Sequence, residues 1–122
     1  MSIHNHKTIV KQFFQDVLSN GNLEILEDIL SPECSYIDGG RLKYRTQIDF
    51  INYVREARKP FTNTNVVVED LIAQGDKIAV RCTYHLETKS DRFTVPVMGI
   101  FHFHKGKIVK IWRNLSTSDD GE

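Results

Sequence analysis

Only two cysteines, Cys34 and Cys82, and three prolines occur in this chain. No Cys-x-x-Cys pair and no secretory leader accompany them, which points to a reducing, cytoplasmic setting, with a Cys34–Cys82 disulfide as the alternative. A surplus of either charge is missing too, since Lys plus Arg and Asp plus Glu each number 16. Without a basic excess there is no electrostatic footprint for nucleic acid, and without a polybasic segment none for an anionic membrane, so neither partner is expected. No apolar run approaches the roughly 20 residues that a membrane-spanning helix requires. Gly-rich phosphate loops and Ser nucleophile elbows are absent. What remains, at 122 residues, is one soluble domain with one packed core and one binding centre.

The front third is helical. From Thr8 to Ser19, the residues Ile9, Val10, Phe13, Phe14, Val17 and Leu18 recur at three- and four-residue steps and form one buried stripe. Asn20-Gly21 ends this helix, and Asn22 caps a short second one with Ile25, Leu26, Ile29 and Leu30 inward, stopped by Ser31-Pro32. A short strand, Ser35 to Asp38, then runs into the Gly39-Gly40 turn. Thr46-Gln-Ile-Asp49 resembles a capping box and opens a third helix to Arg58, with Ile48, Phe50, Ile51, Val54 and Ala57 on its buried side. Arg55, Arg58 and Lys59 put positive charge in its last turns before Pro60.

The rest reads as four strands: Thr64 to Ala73, Lys77 to Thr88, Arg92 to His104 and Lys107 to Leu115. Short turn clusters separate them, so they form an antiparallel meander. The fold class is α+β, a single domain over residues 1–115. Residues 116–122 have no apolar side chain and read as a flexible acidic tail.

Hairpin turns centred near Ser90-Asp91 and Lys105-Gly106 predict which residues stand abreast. One face then carries Cys82, Gly99 and Trp112, flanked by Tyr84, Val97, Asn114 and by Val80, Phe101, Lys110. This is taken as the face the helices cover, Gly99 leaving room for the Trp112 indole. The other face carries Arg81, Met98, Ile100, His102, Ile111 and Arg113. Apolar residues interleaved with Arg and His suit a homodimer contact, the alternative being a partly exposed sheet; a bulge would swap the faces beyond it.

Element order and local sequence together resemble a known family. Val10-Lys-Gln-Phe-Phe-Gln-Asp-Val-Leu-Ser-Asn-Gly-Asn-Leu-Glu-Ile-Leu through Asp38, then Val68-Glu-Asp-Leu, Gly75-Asp-Lys-Ile-Ala-Val-Arg, Gly106-Lys-Ile-Val and Trp112, resemble the nuclear-transport-factor-2-like superfamily. Within it the likeness is to SnoaL-like polyketide cyclases and ketosteroid-isomerase-like proteins. The resemblance implies a curved antiparallel sheet forming a cone around three helices, a small-molecule pocket inside it, and frequent dimerisation. Isomerases, cyclases, epoxide hydrolases and noncatalytic binders all use this fold, so fold alone does not decide function.

By the resemblance, Asp38 matches the general base of ketosteroid isomerases, which pair it with a Tyr and a protonated Asp. Here those two positions match Phe14 and Gly99, neither of which donates a side-chain hydrogen bond. Asp38 as base then needs another donor: Tyr84, Trp112 or Asn114 from the covered face, or Tyr36 or Tyr53 from elsewhere. Val97 and Phe101 complete the expected pocket wall around a small apolar ligand. The alternative is that Asp38 merely caps its own Gly39-Gly40 turn.

The acid that cyclases of this type carry on the final strand is missing, since Asp119 is the first after Trp112. A noncatalytic binding or interaction module, and a lyase or hydrolase with Asp38 activating water, therefore remain as alternatives. Neither a cofactor nor a metal is expected. His102 and His104 share a face, but six residues at about 3.4 Å each set His85 near 20 Å away. His4 and His6 are read as a mobile N-terminus.

Overall fold

A computed structural model describes residues 3–115. The expected tail 116–122, with Asp119, and the side chain of His4 lie outside the described residues. The first helix, α1 (Ile3–Gln12), begins earlier than its apolar pattern suggests and runs into a π-helical segment, Phe13–Ser19. There the Asn20 amide donates to the carbonyl of Gln15, five residues back, at 3.1 Å. The wider turn points Phe13, Phe14, Val17 and Leu18 into the core together. A short α2 (Ile25–Ile29) leads directly into strand β1 (Leu30–Asp38). After the Gly39-Gly40 turn, β2 (Arg41–Tyr44), a strand without a clear sequence pattern, hairpins back onto β1. Helix α3 (Gln47–Arg58) starts where expected, with Thr46 Oγ1 accepting from the Asp49 amide at 3.2 Å. It buries Phe50, Ile51 and Val54 but leaves Ile48 68% exposed, and Ala57 is exposed as well.

Four long strands follow: β3 (Asn63–Gln74), β4 (Lys77–Glu87), β5 (Arg92–His104) and β6 (Lys107–Leu115). They form the antiparallel meander the turn clusters predict, and the six strands lie in the order β2-β1-β6-β5-β4-β3. One pair departs from an all-antiparallel sheet. Strand β1 lies parallel to β6, Tyr36 opposite Ile111 and Asp38 opposite Arg113, which joins the two halves of the chain. The helices cover one face of this curved, unclosed sheet. On the edge strand β3 the π-helical segment ties down Val66, its amide donating to Ser19 Oγ and its carbonyl accepting from Gln15 Nε2, both at 2.9 Å.

The register corrects the expected faces. Between β4 and β5 the pairs are Val80–Gly99 and Cys82–Val97, a shift of two that keeps every residue on its face. Between β5 and β6 the hairpin starts with His104–Lys107 and Phe103–Ile108, then resumes at His102–Lys110. Val109 is thus an extra residue, and one extra residue inverts everything after it. Ile111, expected outside, is buried in the core, and Arg113, also expected outside, is only 9% exposed. Trp112 and Asn114, expected inside, stand outside. Trp112 stacks on His102 at 6.5 Å between ring centroids, with the Lys110 ammonium 5.4 Å from its ring.

Gly99 therefore makes room for something other than an indole. A Cβ there would sit 2.7 Å from the Trp112 carbonyl oxygen and 3.8 Å from Arg113 Cβ, so the missing side chain admits the neighbouring backbone and the root of Arg113. His6 is another correction: it is 3% exposed and stacks on Phe103 at 4.1 Å. Its Nδ1 has no hydrogen-bond partner among the described residues. Cys34 and Cys82 are both free and buried. Among the described residues no helix is long and apolar enough to cross a membrane.

Gly99→Ala is expected to lower stability by about 1–3 kcal/mol in urea unfolding, the usual cost of overpacking. The atom it meets belongs to the backbone and cannot rotate away. An unchanged unfolding midpoint would contradict this close approach of β5 and β6.

Candidate functional site

The apex of the cone is filled. Phe13, Phe14, Phe50 and Phe101 meet there with ring centroids 5.1–6.1 Å apart, mostly edge to face. Only about 10 Å³ of void remains among them, bounded also by Val97 and Gly99. Each buried Phe of this kind contributes about 1.5–3 kcal/mol to folding. Phe14, Val97 and Phe101 therefore belong to the core and not to a ligand chamber.

Towards the mouth the character changes from apolar to polar around one residue. Arg113, turned inward by the bulge, gives hydrogen bonds to three phenol oxygens. Its Nε and Nη2 donate to Tyr36 at 3.0 and 2.7 Å, Nη2 also to Tyr53 at 2.8 Å, and Nη1 to Tyr84 at 2.8 Å. The guanidinium also lies 5.1–6.0 Å from the centroids of the three rings. Three separate elements hold this cage, since Tyr36 is on β1, Tyr53 on α3 and Tyr84 on β4.

Asp38 joins the network through Tyr36, whose hydroxyl donates to Asp38 Oδ2 at 3.1 Å. Residues two apart on a strand share a face, which aligns the pair. Asp38 is partly buried at the end of β1, and next to it the Gly39 amide donates to the Arg113 carbonyl at 3.1 Å. The acid thus stands beside the guanidinium cage, one phenol away from Arg113.

Burial opposes the charge on Arg113, but the oxygens of Tyr84, Tyr53 and Tyr36 outweigh it and hold the guanidinium firmly in its charged form. Burial pushes the Tyr84 phenol up to about 12 against the pull of Arg113. It raises Tyr36 further still, again with Arg113 acting the other way. Tyr36 and Tyr84 stay neutral and the arginine stays charged. Burial likewise lifts the thiols, Cys34 to about 12 and Cys82 to about 11, which makes both poor nucleophiles.

A guanidinium only donates, so every phenol bound to it must accept and keeps its own hydrogen to give elsewhere. Tyr36 gives its hydrogen to Asp38. Tyr53 and Tyr84 both border a cavity of about 220 Å³ at the mouth, together with Arg113, Arg58 and apolar residues including Leu18 and Leu86. Two polarised O–H donors at one end of an apolar cavity can hold an oxygen that carries or develops negative charge. Arg58, which also lines the cavity, donates from Nε to the Leu18 carbonyl at 3.1 Å and from Nη2 to the Ser19 carbonyl at 3.3 Å. It packs where Gly21, at φ +81°, has no side chain.

Of the residues the sequence singles out, the structure gathers Asp38, Tyr36, Tyr53 and Tyr84. It sends Phe14, Val97, Gly99 and Phe101 into the packed apex and the Trp112 and Asn114 side chains to the outer face. The residues sequence reasoning missed are the two arginines. Arg113 shares its strand with Lys107 and Lys110 and so carried no signal of its own, and the assumed register turned it outward. Among the described residues no group of three or more His, Cys, Asp or Glu is placed to hold a metal ion. A second hollow, of about 470 Å³, lies on the outer face between Met98, Ile100, Trp112 and Arg81. It is lined mainly by apolar atoms, with Asp70, Arg81 and Asn114 among its polar residues.

The sequence profile of the SnoaL-like domain family matches residues 10–111. No curated protein matches the chain. Among solved structures, a candidate SnoaL-like polyketide cyclase from Jannaschia sp. CCS1 superposes with a TM-score of 0.80 at 15% identity, over 92% of this chain and 85% of that one. AclR, a candidate hydroxylase from Streptomyces galilaeus, gives 0.83 at 16% identity over 96% and 92%. An LEH-like epoxide hydrolase from M. tuberculosis gives 0.80 at 18% identity over 93% and 84%. Identities this low establish a shared fold, and the three different descriptions leave the chemistry to the site itself.

The tyrosine cage should be visible in alkali. The folded Tyr84 value of about 12 lies above the ordinary 10.0. The stability gained by keeping this phenol neutral is therefore complete below pH 10 and lost as pH rises through about 12. Urea midpoints measured from pH 9 to 12 are expected to fall more steeply for the wild type than for Tyr84→Phe above pH 10; parallel curves would place Tyr84 in a more polar setting.

Proposed function

This chain belongs to the SnoaL-like domain family, and we propose that it binds a small, largely apolar carbonyl compound in the mouth cavity and moves a proton on it, as an isomerase or cyclase does. The observation that supports this most is the placing of the Tyr53 and Tyr84 hydroxyls, backed by the Arg113 guanidinium, at one end of an apolar cavity. A carbonyl oxygen there would accept two phenolic hydrogen bonds. As a proton leaves the adjacent carbon, the growing enolate charge would face a buried cation that needs no reorganisation. These phenols supply the donors that Phe14 and Gly99 cannot.

Asp38 is the proton acceptor in this reading. Its carboxylate is tied by Tyr36 to the same guanidinium that Tyr53 shares, which links it to the donors through one phenol. A noncatalytic binding module is the second reading, favoured by one observation: Asp38 does not border the mouth cavity and already accepts the Tyr36 hydroxyl. Water activation by Asp38, as in a lyase or hydrolase, is the third, with the epoxide hydrolase among the structural neighbours as its precedent in this fold. Two free, buried thiols suit the cytoplasm as the place of action.

The reading includes a second copy of the chain on the outer face. Ile72, Met98 and Ile100 are 67%, 62% and 40% exposed there, beside Trp112 and Ala79. Arg81 at this face is already paired within its own chain, to Asp70 at 2.7 Å, so that cation does not stand unmatched against a second copy.

Deuterium exchange at the α-carbon of small apolar ketones, followed by NMR, tests the catalytic reading. Asp38→Asn is expected to slow exchange by at least about 10²-fold, and Tyr84→Phe by about tenfold or more. Exchange at the wild-type rate in Asp38→Asn removes Asp38 as the base and leaves the binding module as the better account. In sedimentation, Met98→Glu is expected to convert a dimer to a monomer; a wild type that is already monomeric at micromolar concentration refutes the outer-face contact.

A further inference from the structure

The mouth cavity has two arginines in its wall and no acid. Counting donors separates their roles. A guanidinium has five N–H groups, and Arg113 spends four of them on its cage, Nε and both on Nη2 plus one on Nη1. With a single N–H left it cannot grip a carboxylate bidentately, but with Tyr53 and Tyr84 it can serve one carbonyl oxygen. Arg58 spends only two, on the carbonyls of Leu18 and Ser19, which leaves three for a ligand among the described residues. Its partners are neutral peptide oxygens, so its charge is not cancelled by what it binds. Arg113, likewise, is bonded to neutral phenols.

Resting on the proposal that this cavity is the ligand site, we infer that its ligand is a small apolar oxo acid, with its ketone oxygen at Tyr53, Tyr84 and Arg113 and its carboxylate on the free edge of Arg58. A planar fork with unspent N–H groups matches a carboxylate, and on the half-buried Arg58 it pairs with charge that a neutral ketone does not carry. Size agrees with the chemistry. About 220 Å³ is below the usual range of drug-sized sites, enough for a phenyl or short alkyl body beside the polar residues of the wall. Leu18 and Leu86 supply the apolar wall for that body. Arg58 also keeps its structural task of holding the end of the π-helical segment, so one residue both closes that helix and presents its free edge to the ligand.

Calorimetric binding of 3-benzoylpropionate and of its amide at pH 7 tests this. The two probes share ring, ketone and length and differ in the charge. The acid is expected to bind at least about tenfold more tightly than the amide, the scale of a charge-assisted hydrogen bond. In Arg58→Gln the preference for the acid should shrink towards unity, while Tyr53→Phe and Tyr84→Phe should weaken acid and amide alike. Reading the ratio removes any general loosening that Arg58→Gln causes, and Arg58→Lys, which keeps the charge without the fork, should retain part of the preference. Equal affinities in the wild type, no binding of either probe, or a preference that survives Arg58→Gln would overturn the inference. A preference that depends on Arg58 in a protein showing no α-carbon exchange supports the inference while removing the proton-transfer reading, so the two stand or fall separately.

Discussion

A charged guanidinium inside a protein has to be satisfied on every side, because leaving water costs several kcal/mol. Arg113 meets that requirement with three phenols drawn from β1, α3 and β4. The cage therefore does more than fill space, since the helix layer and both halves of the sheet are joined through one cation. Removing a single phenol would leave a buried N–H unpaired, which usually costs more than the bond contributes. The absence of a side chain at Gly99 and the extra residue at Val109 both serve this arrangement, one by admitting the strand and the other by turning it.

The same constraint shapes the open space around the cage. Aromatic packing closes the apex, leaving about 10 Å³, and a cavity of about 220 Å³ opens where polar groups collect around Arg113 and Arg58. The family resemblance directs attention to Asp38 and to the positions of Phe14 and Gly99. In this chain the hydrogen-bond donors come from other elements, and Asp38 is connected to them through Tyr36 instead of facing an acid across the pocket. Proteins that share the fold at 15–18% identity carry three different descriptions.

Much of the architecture was legible because it rests on local rules. Thr46 caps α3, Pro60 follows its end, and β5 and β6 have the bounds that their turn residues imply. Strand β2 was not legible: its Arg-Leu-Lys-Tyr has no buried face, and pairing with β1 alone defines it. His6 was misread because its neighbours are polar, although tertiary packing places its ring on Phe103. The parallel pairing of β1 with β6 joins segments more than seventy residues apart, and no short pattern announces it.

The sequence by itself determined the SnoaL-like α+β architecture, the hairpin meander, the buried aromatic stripe of the first helix, and an acid held beside a glycine turn. Only the tertiary structure decided which side of β6 faces inward. Strand side chains alternate with a period of two, so one unpaired residue, Val109, exchanges Trp112 for Arg113 without changing any local signal. With that exchange an expected indole wall became a buried cation surrounded by the phenols of Tyr36, Tyr53 and Tyr84.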